Sequence, residues 1–408
     1  MDAPFPNLPA DILRQIYALL ACPVDRLAMS RVCRLFRAAV TVHPPQIQAA
    51  PLPHQLPWLL LPHAEGPAFA CLLSGGGLHL LDVPGDARFA RYFGASRDCW
   101  LFLAFGQAQG HALLNVRTEQ RICIPNATRI GRGLEEYPMV IHAVALSSSP
   151  LDEGCIAAAI VSCHGLHPAR PKVTFWRIGD LVASGAFGTS WSLRVVDLVF
   201  HDGGFHCLTR DERILVCSPV FAEDGLLDVG MELRLLPGRG YDGQHVHGRY
   251  IVESRKELLM VVRFSASPLR QLPTSAFKIF RLIEAQSLTE VDKIEYSWDE
   301  LPALDGRMLF VGQGCCCSTS YEVEDFPGFL EGVYFFDDRR FYNNVLPGED
   351  DNFYNKVFPM GTDGIEYPCT DNGKWPGSSL CAGGGHVERC FFQQEEQGGY
   401  TSPTWFLL

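Results

Sequence analysis

The stretch from Pro9 to Leu20 carries apolar side chains at helical spacing, with polar side chains on the opposite face. Pro23 suits the first turn of a second helix, because a proline at that position gives up no intrahelical hydrogen bond. A third apolar run extends from Val32 to Val40. The pattern predicts three short helices, whose apolar side chains exceed what so small a unit can bury by itself.

Beyond Trp58 the pattern changes to short apolar runs separated by Gly, Pro, Asp and Asn, which is typical of β-strands and turns. Six two-strand units recur: Phe69–Leu73 with Leu78–Val83, Cys99–Phe105 with Ala112–Val116, Ile156–Cys163 with Val173–Ile178, Val195–Phe200 with Ile214–Cys217, Arg249–Phe264 with Ala276–Ile283, and Met308–Gly312 with Gly332–Asp337. Such radial repetition favours a β-propeller, since that arrangement leaves only short sheet edges.

A proline-rich segment separates the two patterns. Its five prolines are Pro44, Pro45, Pro51, Pro53 and Pro57. Such composition favours extended polyproline conformation and a semi-rigid spacer, although an SH3-type ligand is the alternative. The predicted organisation is therefore a helical module at residues 1–42, a linker at 43–57 and a β-domain at 58–408.

The helical module resembles the F-box over residues 8–40. The residues that carry the resemblance are Leu8-Pro9, Asp11-Ile12-Leu13, Ile16, Leu19, Asp25, Leu27 and Val32-Cys33-Arg34-Leu35-Phe36-Arg37. The most specific features are the Leu-Pro opening and the Val-Cys-basic-x-aromatic-basic close. Phe36 stands where the family usually has Trp. The alternative is a generic amphipathic hairpin that packs on the rest of the chain.

The β-domain is similar to the carboxy-terminal domain of unknown function in plant F-box proteins, the family that includes the brassinosteroid-pathway suppressor of a GSK-type kinase. The resemblance rests on Tyr250–Ser254, Glu257–Arg263, Phe277–Phe280, Met308–Gly312, Gly332–Asp338 and Pro403–Phe406, in this order. That domain is viewed as a β-propeller that recognises substrates.

Together the resemblances imply a small all-α F-box of three helices followed by a large all-β domain, a β-propeller. They imply a substrate-receptor subunit of an SCF-type (Skp-cullin-F-box) ubiquitin ligase, which binds a Skp-type adaptor, through it a cullin, and a target protein. The implied adaptor-binding residues are Leu8, Pro9, Ile12, Ile16, Leu19, Leu27, Val32, Cys33 and Phe36. Two alternatives stay open: a non-ligase interaction scaffold with an F-box-like segment, and a propeller enzyme.

Charge is spread unevenly along the chain. The net charge is −12, and residues 321–408 carry 15 Asp and Glu against 5 Lys and Arg. This acidic balance argues against nucleic acid and anionic membranes as partners. We expect Glu349, Asp350 and Asp351 to contribute to target binding, with a solvated acidic loop as the alternative.

Composition and cysteine usage indicate an intracellular globular protein of the cytoplasm or nucleus. Hydrophobic residues make up 47% and charged residues 20%, close to globular averages. The longest apolar stretches, such as Cys155–Cys163, are shorter than the roughly 20 residues of a membrane span. The 15 cysteines are odd in number and dispersed, and Met1 to Pro9 show no basic start followed by an apolar stretch, so reduced thiols are expected.

The candidate metal motifs are incomplete. Cys315, Cys316 and Cys317 are adjacent, so in a strand they point to alternate faces, and no Cys-x-x-Cys pair accompanies them. Two other sets lack a full complement of ligands: Cys381 with His386 and Cys390, and His245 with His247. The sequence also lacks a phosphate-binding glycine loop and a Gly-x-Ser-x-Gly elbow. It predicts no metal, no cofactor and no catalytic residue.

Overall fold

The structure, a computed structural model, describes residues 8–41, 55–105, 109–130, 135–163, 172–185, 193–221, 227–266, 273–286, 294–312, 319–338, 371–376, 387–388 and 400–407. Three helices come first: α1 Ala10–Leu19, α2 Pro23–Arg31 and α3 Arg34–Thr41. The strands follow in chain order: β1 Trp58–His63, β2 Gly66–Cys71, β3 Gly77–Leu80, β4 Arg91–Ser96, β5 Trp100–Phe105, β6 Gln109–Asn115, β7 Arg121–Cys123, β8 Ala127–Ile130, β9 Glu136–Leu146, β10 Ile156–Cys163, β11 Lys172–Arg177, β12 Ala183–Gly185, β13 Val195–His201, β14 Gly204–Thr209, β15 Ile214–Phe221, β16 Leu227–Arg234, β17 His245–Ser254, β18 Glu257–Ser265, β19 Thr274–Gln286, β20 Ile294–Glu300, β21 Arg307–Val311, β22 Thr319–Glu322, β23 Gly332–Phe335, β24 Gly373–Trp375 and β25 Thr404–Phe406.

Within the described residues, the strands form five four-stranded sheets and one closed sheet of five strands. We number the sheets along the chain: first β25-β1-β2-β3, second β4-β5-β6-β7, third β10-β11-β12-β8-β9, fourth β13-β14-β15-β16, fifth β17-β18-β19-β20 and sixth β22-β21-β23-β24. One strand of each sheet contacts the corresponding strand of the next, in the order β25, β4, β9, β13, β17, β22. This radial, propeller-like arrangement after three helices confirms the predicted fold class.

The hydrophobic core of the β-domain lies between neighbouring sheets. Each of five apolar clusters joins side chains of adjacent sheets around the ring. Strand β18 illustrates how one sheet contributes to two clusters, because alternate residues of a strand point to opposite faces. Leu259 and Val261 pack toward the sixth sheet, while Met260 and Val262 pack toward the fourth. A strand covered on both faces therefore shows a continuous apolar run rather than alternation.

The last described strand closes the ring. Strand β25 pairs antiparallel with β1, so that Leu59 lies opposite Trp405. The Trp405 indole donates a hydrogen bond of 3.0 Å to the carbonyl of Val311 in the sixth sheet, and its ring meets that of Phe310 edge-on at 5.1 Å. The prediction that the Trp405-Phe406 strand helps complete the domain is confirmed in one respect, which is that β25 pairs with β1.

One predicted strand pair is wrong in its partners. Val195–Phe200 and Ile214–Cys217 were expected to pair, but β14 lies between β13 and β15 and pairs with both. All six residues of β14 are buried, so the strand shows no alternation of apolar and polar positions. Across the described residues, no helix has the length and apolarity needed to cross a membrane.

Two histidines are buried in neutral form inside the β-domain. Burial lowers the pKa of His111 to about 3, and the nearby Arg91 charge adds to the effect. Burial likewise lowers the pKa of His206 to about 4. In the unfolded chain a histidine titrates near 6.5. Below that pH the unfolded chain takes up protons that the folded chain does not, so the folded state loses stability as pH falls.

We expect the free energy of unfolding to fall by about 1.4 kcal/mol for each of these histidines between about pH 7.5 and about pH 5.5. His111→Asn should remove one such contribution, so the variant should lose about 1.4 kcal/mol less than wild type over that interval. Urea unfolding at the two pH values measures both. His245→Asn, at an exposed histidine, is the matched control and should follow wild type. Parallel pH profiles for His111→Asn and wild type would contradict the prediction.

Candidate functional site

The three helices form a small module around a minimal core. Pro9 precedes α1, and Asp11 lies in its first turn, where a carboxylate complements the helix dipole. Pro23 is the first residue of α2. Leu13, Met29 and Ala39, one from each helix, are buried together. So few buried residues leave most apolar side chains of the module uncovered.

Seven of the nine side chains predicted to bind an adaptor are exposed in the structure. They are Pro9, Ile12, Ile16, Leu19, Leu27, Val32 and Cys33. Leu19 is 83% exposed and Val32 is 64% exposed, and a group of such exposed apolar side chains is typical of an interaction surface. The other two, Leu8 and Phe36, are half-buried and pack on the module core. Binding of an adaptor by these residues stays a prediction.

Leu35 belongs with this exposed set, although the predicted adaptor-binding residues do not include it. It is 45% exposed and lies in the first turn of α3. Its place in the Val32–Arg37 segment that resembles the F-box was the available signal. We call Ile12, Ile16, Leu19, Leu27, Val32 and Leu35 the apolar helical surface.

A cavity of about 520 Å³ opens at the centre of the ring of sheets. Its lining comes from all six sheets, including Asp98 after β4, Ser147 after β9, Phe200 in β13, Glu253 in β17 and Thr319 in β22. The lining combines serine and threonine hydroxyls with charges of both signs. This cavity suits a polar side chain or a short polar segment of a partner better than an apolar ligand.

A tight turn places Arg255 at this cavity. Arg255 and Lys256 connect β17 to β18, and both have positive φ, at 53° and 63°. This is the backbone of a type I′ hairpin turn, which residues other than Gly and Asn adopt at a cost. The Arg255 guanidinium donates to Glu322 at 2.9 Å and to the Asp305 carbonyl at 2.9 Å. The hydrogen bond from Arg255 lowers the pKa of Glu322.

A second group of polar side chains lies where the helical module contacts the first sheet. Cys22, which precedes α2, is fully buried in the same cluster as Cys71 at the end of β2. Interaction with Cys71 raises the pKa of Cys22, and interaction with Cys22 lowers the pKa of Cys71 to about 7. His79 of β3 is beside them, with Nε2 3.7 Å from a carboxylate oxygen of Asp25.

Other residues singled out in the sequence are not part of these sites. Glu349, Asp350 and Asp351, the Cys315–Cys317 run and the set Cys381, His386 and Cys390 lie outside the described residues. The register of β17 shifts between Val246 and Gly248, which disturbs the regular alternation expected to place His245 and His247 on one face.

Comparison with known proteins places the β-domain in a family. The sequence is 25% identical to one F-box/kelch-repeat protein of Arabidopsis thaliana, over 52% of this chain and 54% of that protein, so it spans about half of that relative's length. It is 23% identical to a second F-box/kelch-repeat protein of Arabidopsis thaliana, over 81% of this chain and 82% of that protein. A comparison with a crystal structure of a eukaryotic initiation factor covers 60% of this chain and 53% of that chain, at 9% sequence identity. The TM-score is 0.22, so this likeness carries no structural argument. The profile of the KIB1-4 beta-propeller family matches residues 71–358, which run from the end of β2 to beyond β23, and the chain therefore belongs to this family.

Proposed function

We propose that this protein is a substrate-receptor subunit of an SCF-type ubiquitin ligase, in which the helical module binds a Skp-type adaptor and the propeller binds a target protein. The observation that carries the proposal is the apolar helical surface, six large aliphatic side chains left exposed on helices that resemble the F-box. Two relatives whose names describe them as F-box proteins support it.

The proposed mechanism requires no chemistry from this chain. The adaptor and cullin hold a charged ubiquitin-conjugating enzyme near the propeller, and a bound target then presents its lysines at high effective concentration. The rate of transfer rises because an encounter between free molecules becomes an encounter within one assembly.

Target recognition is assigned in this proposal to the propeller. Loops on a rigid β-scaffold can vary without disturbing the core, and binding residues collect there for that reason. The central cavity and its Glu253 and Arg255 side chains supply polar contacts. Glu349, Asp350 and Asp351 stay candidates for attraction of a basic target surface.

Leu19→Asp tests adaptor binding at the most exposed residue of the apolar helical surface. An aspartate there would be buried unpaired against the adaptor, and we expect a loss of about 2 kcal/mol or more, roughly 30-fold in affinity. Because Leu19 is 83% exposed in the free protein, the variant should fold normally. The measurement is the affinity of the full chain for a purified Skp-type adaptor.

The matched control is Leu181→Asp, the same substitution at a leucine that is 80% exposed on the propeller. It should bind the adaptor as wild type does. If Leu19→Asp and Leu181→Asp bind the adaptor equally well, the apolar helical surface is not the adaptor-binding site, and a non-ligase scaffold becomes the better interpretation.

A further inference from the structure

We propose that Cys22, Asp25, Cys71 and His79 form a zinc site that fastens the helical module to the first sheet of the propeller. The site is separate from the apolar helical surface and from the central cavity. The proposal does not depend on adaptor binding, because its ligands come from within this chain.

The distances fit a site that closes around a metal ion. The Cys22 sulfur is 4.0 Å from Nε2 of His79, and the same Nε2 is 3.7 Å from Oδ1 of Asp25. Ligand atoms of the three residues all lie within 4.8 Å of one another. Sulfur, nitrogen and oxygen ligands of a tetrahedral zinc ion are about 3.3 to 3.6 Å apart, given the usual bond lengths. Contraction by a few tenths of an ångström would bring the Cys22–His79 and His79–Asp25 pairs to bonding geometry. Cys71 lies outside this group of three and would have to approach it on binding.

Local structure explains why two of the ligands come from the helical module. Cys22 is the residue before α2, and Asp25 lies in its first turn. These positions, N-cap and N3, are the pair that meets in a capping box, so their side chains approach each other. The turn from Cys22 to Asp25 therefore presents a thiol and a carboxylate side by side.

The other two ligands come from one face of a β-hairpin. Strands β2 and β3 pair with Phe69 opposite His79 and with Cys71 opposite Gly77. Cys71 and His79 are a diagonal pair on the same face, since both alternate in step with Phe69. Cys71 is buried in the same apolar cluster as Cys22, which places the second cysteine near the group. Gly75 and Gly76 between the strands have positive φ, at 69° and 82°, which makes this close return of the chain possible.

The donor set suits zinc in particular. Thiolate and imidazole ligands together select zinc among the abundant divalent ions, while magnesium and calcium prefer oxygen ligands. The two thiols are almost completely buried, whereas the side chains of His79 and Asp25 are 20% and 32% exposed and offer a route for the ion from solvent. Binding releases the thiol protons to solvent, and two thiolates with one carboxylate more than balance the charge of the ion.

The consequence would be a fixed orientation between the two modules. Cys22 and His79 are 57 residues apart, and the proline-rich segment lies between them. A zinc ion held from both sides would resist separation of the helices from the first sheet, much as a covalent link would.

The test uses the full chain, kept reduced, freed of metal with a chelator and then loaded with Zn²⁺ alone. We expect wild type to retain one zinc ion per chain more than Cys22→Ser and Cys71→Ser, measured by elemental analysis after gel filtration. Replacing zinc with Co²⁺ should give thiolate charge-transfer absorption that both variants lack. Cys99→Ser is the matched control, because Cys99 is a buried thiol of the same apolar cluster that is not among the proposed ligands; it should retain the wild-type content.

A second pair of variants keeps the test decisive if loss of a buried thiol disturbs folding. His79→Gln and Asp25→Asn alter partly exposed side chains, and each should weaken zinc binding about tenfold or more. Zinc should also slow amide hydrogen exchange in residues 8–41 of wild type and leave it unchanged in His79→Gln. Equal zinc content in wild type and all four variants, or a disulfide between Cys22 and Cys71 as the stable form under reducing conditions, would overturn the proposal.

Discussion

Removal of residues 400–408 should leave the β-domain unable to fold to a stable monomer. Trp405 and Phe406 are almost completely buried, and they fill the space where the first and sixth sheets meet. Loss of each buried aromatic costs about 3 to 5 kcal/mol. The two together approach the whole stability of a typical domain, about 5 to 15 kcal/mol.

The deletion would also leave buried polar groups without partners. The backbone N–H of Tyr92 donates to the Thr401 hydroxyl at 2.8 Å, and that of Cys99 donates to the Leu407 carbonyl at 3.1 Å. A buried donor with no acceptor costs about 1 to 3 kcal/mol. Strand β1 would become an open edge bearing Trp58, Leu59 and Leu60, which promotes aggregation.

Circular dichroism melting and gel filtration of the truncated chain measure this outcome. A graded variant, Trp405→Ala, should lower the free energy of unfolding by about 3 to 5 kcal/mol. Leu181→Ala, at a residue 80% exposed, should change it by less than about 0.5 kcal/mol. If the truncated chain melts at the wild-type temperature and stays monomeric, β25 does not close the domain.

The helices could be predicted from the sequence because local signals agree there. The predicted run from Pro9 to Leu20 corresponds to α1, and Pro23 begins α2 as expected. Strand β10 was predicted with its observed bounds, since Cys155-Ile156 begins an apolar run that ends at Cys163 and is interrupted only by Ser162. Where propensity, pattern and turn residues coincide, tertiary contacts have little to override.

Tertiary pairing was harder to predict than the strands themselves. In the sixth sheet, β21 pairs parallel with β23 and antiparallel with β22, an irregular order that no local pattern of apolar residues encodes. Strand β14 was missed for a related reason: both of its faces are covered by neighbouring sheets, so its polar His206 and Thr209 are buried beside Phe205 and Cys207. Burial on both faces removes the alternation on which strand prediction depends.

The candidate zinc site could not be predicted from the sequence either, because its ligands lie far apart along the chain. No motif joins Cys22 to Cys71 or His79, because ligands from two modules follow no fixed spacing. Only the adjacent and closely spaced cysteines form recognisable candidate motifs in the sequence, and these predict no metal. Only contact between the start of α2 and the β2–β3 hairpin brings Cys22, Asp25 and His79 together.

Arg263 carries a buried positive charge between the fifth and sixth sheets. Its side chain has no solvent exposure, and it points the same way along β18 as Leu259 and Val261. The guanidinium contacts Asp338 at 3.0 Å and Asp371 at 2.7 Å. It also donates to the Phe336 carbonyl at 3.0 Å and the Thr274 hydroxyl at 2.6 Å. At the end of an apolar run in sequence, an arginine is more often solvent-exposed.

Arg263→Met should lower the free energy of unfolding by about 3 to 5 kcal/mol. Methionine fills much of the volume and keeps the apolar stem, so the loss does not come from a cavity. It comes from two buried carboxylates, those of Asp338 and Asp371, which remain without their cation. Burial of an unpaired charge costs more than the ion pair contributes, because the pair itself had to leave water.

The matched control is Arg255→Met, the same substitution at the turn before β18. Arg255 also pairs with a carboxylate, Glu322, but their side chains are 40% and 37% exposed, so solvent screens the pair and its loss should cost less than about 1 kcal/mol. Urea unfolding compares the two variants. If uncompensated buried charge causes the difference, adding Asp338→Asn and Asp371→Asn to Arg263→Met should recover part of the stability, since neutral amides cost less to bury than carboxylates. Equal losses for Arg263→Met and Arg255→Met would show instead that the buried network contributes no more than a surface ion pair.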